Sequence, residues 1–264
     1  MKSLPWIRVN NKLTVVLANG QPKTITDDKK ELFDKVLECI KIGEWDKIAD
    51  LMDTKTAIST FSNGNFKVVN GVVEVQGKAI PSGLSKKIIA FAQEGLPFEP
   101  LLKFWDKLNK NPSMRTVQGL FEFLELKGYA ITEDGDFIAY KGIRNDWTDN
   151  HSGKISNKIG ETVKVPRNEV SDDPQVECSF GLHVADYAFA SSYSHGGHMI
   201  MVSVSPEHVV SMPDAYHFTK MRVCEYTVLS EVFQEQKGNL YKAPIDNSSY
   251  DDYDQEYDYD DCHL

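Results

Sequence analysis

No stretch of this 264-residue chain approaches the roughly 18 to 20 consecutive apolar residues that a membrane-crossing helix needs. An integral α-helical membrane protein is therefore not expected. The opening, MKSLPWIRVNNKLTVV, has no continuous apolar core and no small-residue cleavage site, so it does not read as an export signal. A cytoplasmic setting follows. The four cysteines, Cys39, Cys178, Cys224 and Cys262, include no Cys-x-x-Cys pair. Without an oxidising compartment they predict neither a disulfide framework nor a zinc site, and Cys39 is expected to pack on a helix as a small hydrophobe. A serine-hydrolase elbow, a phosphate-binding loop and a His-Glu-x-x-His motif are all missing as well. No cofactor and no metal is expected.

Basic charge is absent from one region altogether. Asp246 to Asp261 holds eight acidic residues and no Lys or Arg, within a total net charge of −10. Subtracting those eight leaves the rest of the chain at about −2. SSYDDYDQEYDYDD is acidic and poor in aliphatic residues, which predicts a disordered tail over 236–264. Its deletion is expected to leave folding intact.

The remaining sequence predicts an α+β fold in two parts: N-terminal hairpins and helices over 1–130, then a β-rich domain over 131–235. Alternating strands with turns at Asn19-Gly20, Asn63-Gly64 and Asn70-Gly71 supply the hairpins. A helix capped by Thr26 or Asp27 runs to about Ile42, and a short one carries Trp45, Ile48, Leu51 and Met52. Three more span about Ser82 to Glu94, Pro97 to Asn109 and Ser113 to Lys127. Helices followed by YAITEDGDFIAY imitate a winged-helix DNA reader. The last helix, however, offers only Arg115 and Lys127 to a phosphate backbone, so a nucleic-acid-binding regulator is a secondary reading. Expected strands beyond it are Phe137 to Lys141, Thr162 to Val165, His198 to Val204, Val209 to Met212 and Val223 to Leu229. A short helix is expected over Ala185 to Tyr193.

Two pieces concentrate polar, aromatic and titratable residues beyond what a core requires. These are FIAYKGIRNDWTDNHSGK, from Phe137, and DDPQVECSFGLHVADYAFASSY, from Asp172. Tyr140, Lys141, Arg144, His151 and His183 combine aromatic faces, donors and cations, a mixture suited to an anionic or nucleotide-like ligand. The plainer alternative places Tyr140 and His183 in strands as core residues, with Lys141 and Arg144 solvated outside. His183, Cys178, His195, His198 and Cys224 lack the spacing of a zinc motif.

Those two pieces, VPRNEV, the pair of strands in VSVSPEHVVSMP and KMRVCEYTVLSE follow in an order and spacing that resembles the rIIB-like proteins of tailed phages. EWDKIADLMD, NGVVEVQGKAI and EGLPFEPLLKFWDKLNKNPS extend the resemblance over about Leu13 to Ser230. It implies a non-enzymatic accessory protein acting by protein binding, in control of host lysis and in countering exclusion or host defence. Implied partners are an rIIA-like protein or a host defence factor, with at most peripheral contact at the inner membrane through a partner. The family brings no catalytic residue.

AYKGIR, GLHVADYAFASSY and CEYTVLSE are also similar to three strand motifs of ADP-ribosyltransferases. That likeness places Lys141 at the position of the ribose-binding His or Arg, His183 at the stacking Tyr and Glu225 at the catalytic Glu. Lys141 and His183 depart from the motif, and a lysine would oppose a cationic transition state. Shared strand geometry, with an NAD- or nucleotide-binding module as the alternative function, is what this second resemblance implies.

Overall fold

The computed structural model describes residues 3–18, 20–53, 58–59, 62–94, 96–194, 196–213 and 219–232. The acidic tail expected over 236–264, together with Asn19, His195 and Cys262, lies outside the described residues. Helices and sheets are both present, in an α+β arrangement, and they fall into two compact units. One is Met1–Asp106 with Glu133–Gly135; the other is Lys107–Thr132 with Asp136–Leu264.

The first unit begins with a three-stranded antiparallel sheet of β1 (Trp6–Val9), β2 (Lys12–Val16) and β3 (Pro22–Thr26), in that order. Alternation in KLTVV turns Leu13 and Val15 inward, where they join Ile25. They pack against Leu32, Phe33, Val36 and Cys39 of α1 (Lys30–Ile42) and Ile48 of α2 (Trp45–Met52). The expected cap at Thr26 or Asp27 is not used. Thr26 ends β3, and α1 starts after Lys29, whose side chain caps nothing. Gly43 closes α1 at φ 77°, with its N–H bonded to the Ile40 carbonyl.

A second small sheet pairs β4 (Phe66–Val69), β5 (Val72–Val75) and β6 (Lys78–Ala79). Asn70 and Gly71 join β4 to β5 with φ of 51° and 79°, the doubly positive turn that an Asn-Gly pair favours. Ser85 of α3 (Ser82–Glu94) is buried because its hydroxyl accepts from the Val73 N–H at 2.8 Å. α4 (Glu99–Leu108) follows, with Leu101, Leu102, Phe104 and Leu108 buried.

The second unit holds α5 (Met114–Leu126) and a seven-stranded, wholly antiparallel sheet. Its strands are β7 (Phe137–Ile143), β8 (Thr162–Lys164), β9 (Leu182–Ala185), β10 (His198–Val204), β11 (Val209–Ser211), β12 (Lys220–Val223) and β13 (Glu225–Glu231). They lie in the order β11-β12-β9-β7-β10-β13-β8. One face is apolar: Phe137, Ala139, Ile143, Val184, Ile200, Val202, Val204, Met221, Val223, Tyr226 and Val228 are all buried.

Two local expectations change. The strand expected from Val223 to Leu229 is divided: Val223 ends β12 and β13 begins at Glu225, because Cys224 leaves the ladder to bond the His208 and Val165 main chains. Ala185 belongs to β9, and the short helix, α6 (Tyr187–Ser192), starts only after Asp186, whose carboxylate accepts from the Phe189 N–H at 2.8 Å.

Candidate functional site

Strand pairing decides which singled-out side chains meet. Tyr140 pairs with Ala185, Ala185 with Lys220, and His183 with Arg222. Paired residues of antiparallel strands project to the same side. Tyr140, His183, Lys220 and Arg222 therefore share the face opposite the apolar one. α6 lies over this face, and its approach explains Gly142: a Cβ there would stand 2.7 Å from the Ser194 nitrogen and 2.8 Å from the Ala190 oxygen. Tyr140 meets Tyr187 edge to face at 5.5 Å, beside Ala185, Ala190, Met199 and Phe189.

Arg222 anchors this face. It is 0% exposed, and its guanidinium grips main chain. Nε donates to the Ser171 carbonyl at 2.8 Å and Nη1 to that of Val176 at 2.6 Å. Nη2 donates to the Asp173 carbonyl and to the Ser211 hydroxyl. A buried cation costs several kcal/mol unless its donors are satisfied, and these bonds satisfy them. Burial lowers the Arg222 pKa, with Asp173, Cys178 and Asp172 pulling it back. The piece that begins DDPQVEC is thus a loop held by its carbonyls. Lys220, 3% exposed, directs Nζ to the Cys178 sulfur at 3.6 Å and lies 5.5 Å from the centre of the Phe189 ring.

His183 sits among these cations. Burial, then Lys141, Lys220 and Arg222, push its pKa down to about 3. It is a neutral imidazole at ordinary pH and cannot act there as an acid or a cation.

Lys141 behaves otherwise. It is the residue after Tyr140, so it emerges on the apolar face between Ala139 and Ile143, opposite Ile200. The solvated position that the plainer alternative gave it is not what the strand provides. Its Nζ donates to the His183 carbonyl at 3.1 Å. Burial lowers its pKa to about 8, with Asp149 acting against the shift.

The other polar piece, from Arg144 to Asn157, is a loop built on Asp149. Its carboxylate accepts from the N–H groups of Ser152, Lys154 and Ile155 and from the Ser152 hydroxyl. Burial alone would raise its pKa, but those bonds outweigh burial and hold it at about 2. Arg144 donates to the Asn150 carbonyl at 3.0 Å, and Asn150 reaches the carbonyls of Gly142 and Tyr193. His151 is exposed in the turn. Asn157, fully buried, accepts from the Tyr226 hydroxyl. Trp147 adopts φ 64°, uncommon for so large a residue, and stacks on His198 at 4.2 Å. His198 bonds Glu231 at 2.7 Å and the Asn145 carbonyl at 3.1 Å, and the Glu231 bond raises its pKa.

Glu225 opens β13, three strand steps from β9, a separation of about 14 Å. It forms an ion pair with Lys164 at 2.7 Å. The structure thus brings Tyr140 and His183 to one face, sends the Lys141 side chain to the other, leaves Arg144 and His151 in a loop, and sets Glu225 apart. The nucleotide-binding grouping of Lys141, His183 and Glu225 is not assembled on one face. Among the described residues, no cluster of three or more His, Cys, Asp or Glu is arranged to hold a metal.

Sequence reading passed over Lys220, Arg222 and Asp149. The first two were visible as cations alternating with Met221 and Val223 in KMRV, a strand with one face too polar to be bland. Nothing local marks Asp149, whose partners come from the turn after it.

Three comparisons bear on these residues. The family model described as bacteriophage T4 protein rIIB matches residues 5–238. Protein rIIB of Enterobacteria phage T4 is 31% identical over 229 residues, covering 86% of this chain and 73% of that protein. No solved structure matches.

Proposed function

Because this chain belongs to the phage T4 rIIB family, we propose that it acts by binding another protein, in the control of host lysis and in countering exclusion or defence. What carries the reading is how the sheet's polar groups are spent. Arg222 and Asp149 satisfy main-chain groups of two long loops, and Asn150 ties the second loop to the Tyr193 carbonyl, so the surface those loops present is fixed. Rigid loops lower the ordering cost of association. The expected partner is an rIIA-like protein or a host defence factor, met in the host cytoplasm or, through that partner, at the inner membrane.

The test is complementation of infected cells with the tagged full-length chain. Restored lysis timing, with one partner co-purifying in fixed proportion, is expected. Purified protein that hydrolyses or transfers from NAD, and loses this in Glu225→Gln, would replace the binding reading with an enzymatic one.

A further inference from the structure

The first strand of the chain is largely apolar yet exposed along its whole length. β1 is four residues long, Trp-Ile-Arg-Val, and all four are exposed. Trp6 is 46%, Ile7 59% and Val9 55% accessible. β1 is also the end strand of its sheet, with no second neighbour among the described residues. Edge strands are blunted by shortness, charge or proline; β1 is short and carries one charge, Arg8, but its other three positions are apolar.

The register shows which main-chain groups are free to pair. The Val16 N–H bonds the Pro5 carbonyl at 2.8 Å. Bonding alternates along an antiparallel strand, so Ile7 and Val9 turn their N–H and C=O groups toward β2. Trp6 and Arg8 turn theirs toward the open edge. The side chains divide the other way: Arg8 leans inward, 5.3 Å from the centre of the Phe33 ring, while Ile7 and Val9 stand on the outer face.

Charge supplies the remaining element. Residues 1–26 contain Lys2, Arg8, Lys12 and Lys23 and no Asp or Glu, in a chain whose net charge is −10. Arg8, Lys12 and Lys23 are exposed on the three strands. An open strand edge, apolar side chains beside it and cations on every strand describe a receptor for one kind of segment.

We propose that β1 is a docking edge for an extended acidic peptide segment of a partner protein, added as a fourth, β-paired strand. The partner's main chain bonds Trp6 and Arg8, its apolar residues cover Ile7 and Val9, and its carboxylates, on the other face, meet Arg8, with Lys12 and Lys23 adding attraction from the neighbouring strands. This rests on the reading that the protein works by binding, and it names the surface. Complementation in infected cells decides that reading without reference to β1, so the two can fail separately.

The test is titration of the full-length protein with a synthetic peptide of four Glu-Val repeats, read by binding affinity and by amide exchange across Trp6–Val9. Expected results are saturable binding, slowed exchange at Trp6 and Arg8, and an affinity that weakens several-fold from low to moderate salt. Arg8→Gln and Arg8→Pro separate charge from backbone, since both remove the cation but only proline removes the outward N–H. Arg8→Gln should weaken binding a few-fold and Arg8→Pro at least tenfold, with both melting temperatures near that of the parent. If Arg8→Pro fails to fold, placement of the exchange protection at Trp6 and Arg8 decides instead. Equal binding of four Lys-Val repeats, equal effects of the two variants, or no binding would overturn the proposal. So would β1 protection that grows with protein concentration in the absence of peptide, which would assign the edge to a second copy.

Discussion

Lys141 shows how one residue's chemistry follows from its place in a strand. With its ammonium beneath the sheet, the folded protein prefers it neutral, and its pKa falls from 10.5 to about 8. The sign follows directly. Between pH 8 and 10.5 the unfolded chain holds a proton that the folded chain has released, so stability rises with pH across that window. Below pH 8 both states are protonated and the full cost of burying the charge is present. Lys141→Met removes the cost and also the bond to the His183 carbonyl, a loss of about 1 kcal/mol. The expected outcome is a melting-temperature difference that favours the Lys141→Met variant over the parent most at pH 7 and shrinks toward pH 10. A difference independent of pH would mean the ammonium is solvated. From sequence, the residue was visible as a candidate, but its direction was not. Tyr140 and Lys141 are both plausible inward residues of FIAYKGI, and only pairing with β9 and β10 fixes which one turns to the apolar face.

At the scale of elements, boundaries were legible wherever local chemistry sets them. α3, α4 and α5 lie between the Pro and Gly signals that delimit them, and the Asn70-Gly71 hairpin is where its turn residues require it. The misread elements depend on distant partners. Cys224 interrupts a strand because His208 and Val165 claim its main chain. Asp186 ends β9 and caps α6 in a single residue. That cap makes a measurable claim: Asp186→Ala should cost about 1 kcal/mol. Chemical denaturation should report it as a lower midpoint, with faster amide exchange over Tyr187–Ser192 than elsewhere in the unit. An unchanged midpoint would show that packing of Tyr187 and Phe189 holds α6 without its cap.

Across the whole molecule, the strongly shifted buried groups are unevenly shared. Lys141, Asp149 and His183 all belong to the unit that contains the seven-stranded sheet. Two of them act in succession as pH falls, His183 first and Asp149 below it. His183 titrates at about 3 when folded against an ordinary 6.5, so the unfolded chain takes up its proton first and stability falls as pH drops below 6.5. Asp149, held at about 2, adds stability above its ordinary value of 3.8 and loses it below. Each pH unit inside such a window is worth up to about 1.4 kcal/mol per group. Acidification from pH 6.5 to 3, the window set by His183, should therefore open amides of β7, β9 and β12 before those of β2, β3 and α1. Hydrogen exchange followed by mass spectrometry resolves the two sets. Loss of both together, or of the N-terminal set first, would contradict the assignment.

The grip of Arg222 has a consequence for how this surface can change over generations. Its loop contacts are the oxygens of Ser171, Asp173, Val176 and Glu177, which every amino acid possesses. The bonds of such a clamp do not depend on which side chains the gripped residues carry, apart from the charges beside the guanidinium. Gln175, Val176 and Glu177 can be exchanged while those bonds are kept, whereas Asp172, whose charge favours the buried guanidinium, is tied to it. The expensive part of the design, one arginine sealed under the sheet, is inherited once, and the outward lettering of the loop is left open to rapid rewriting.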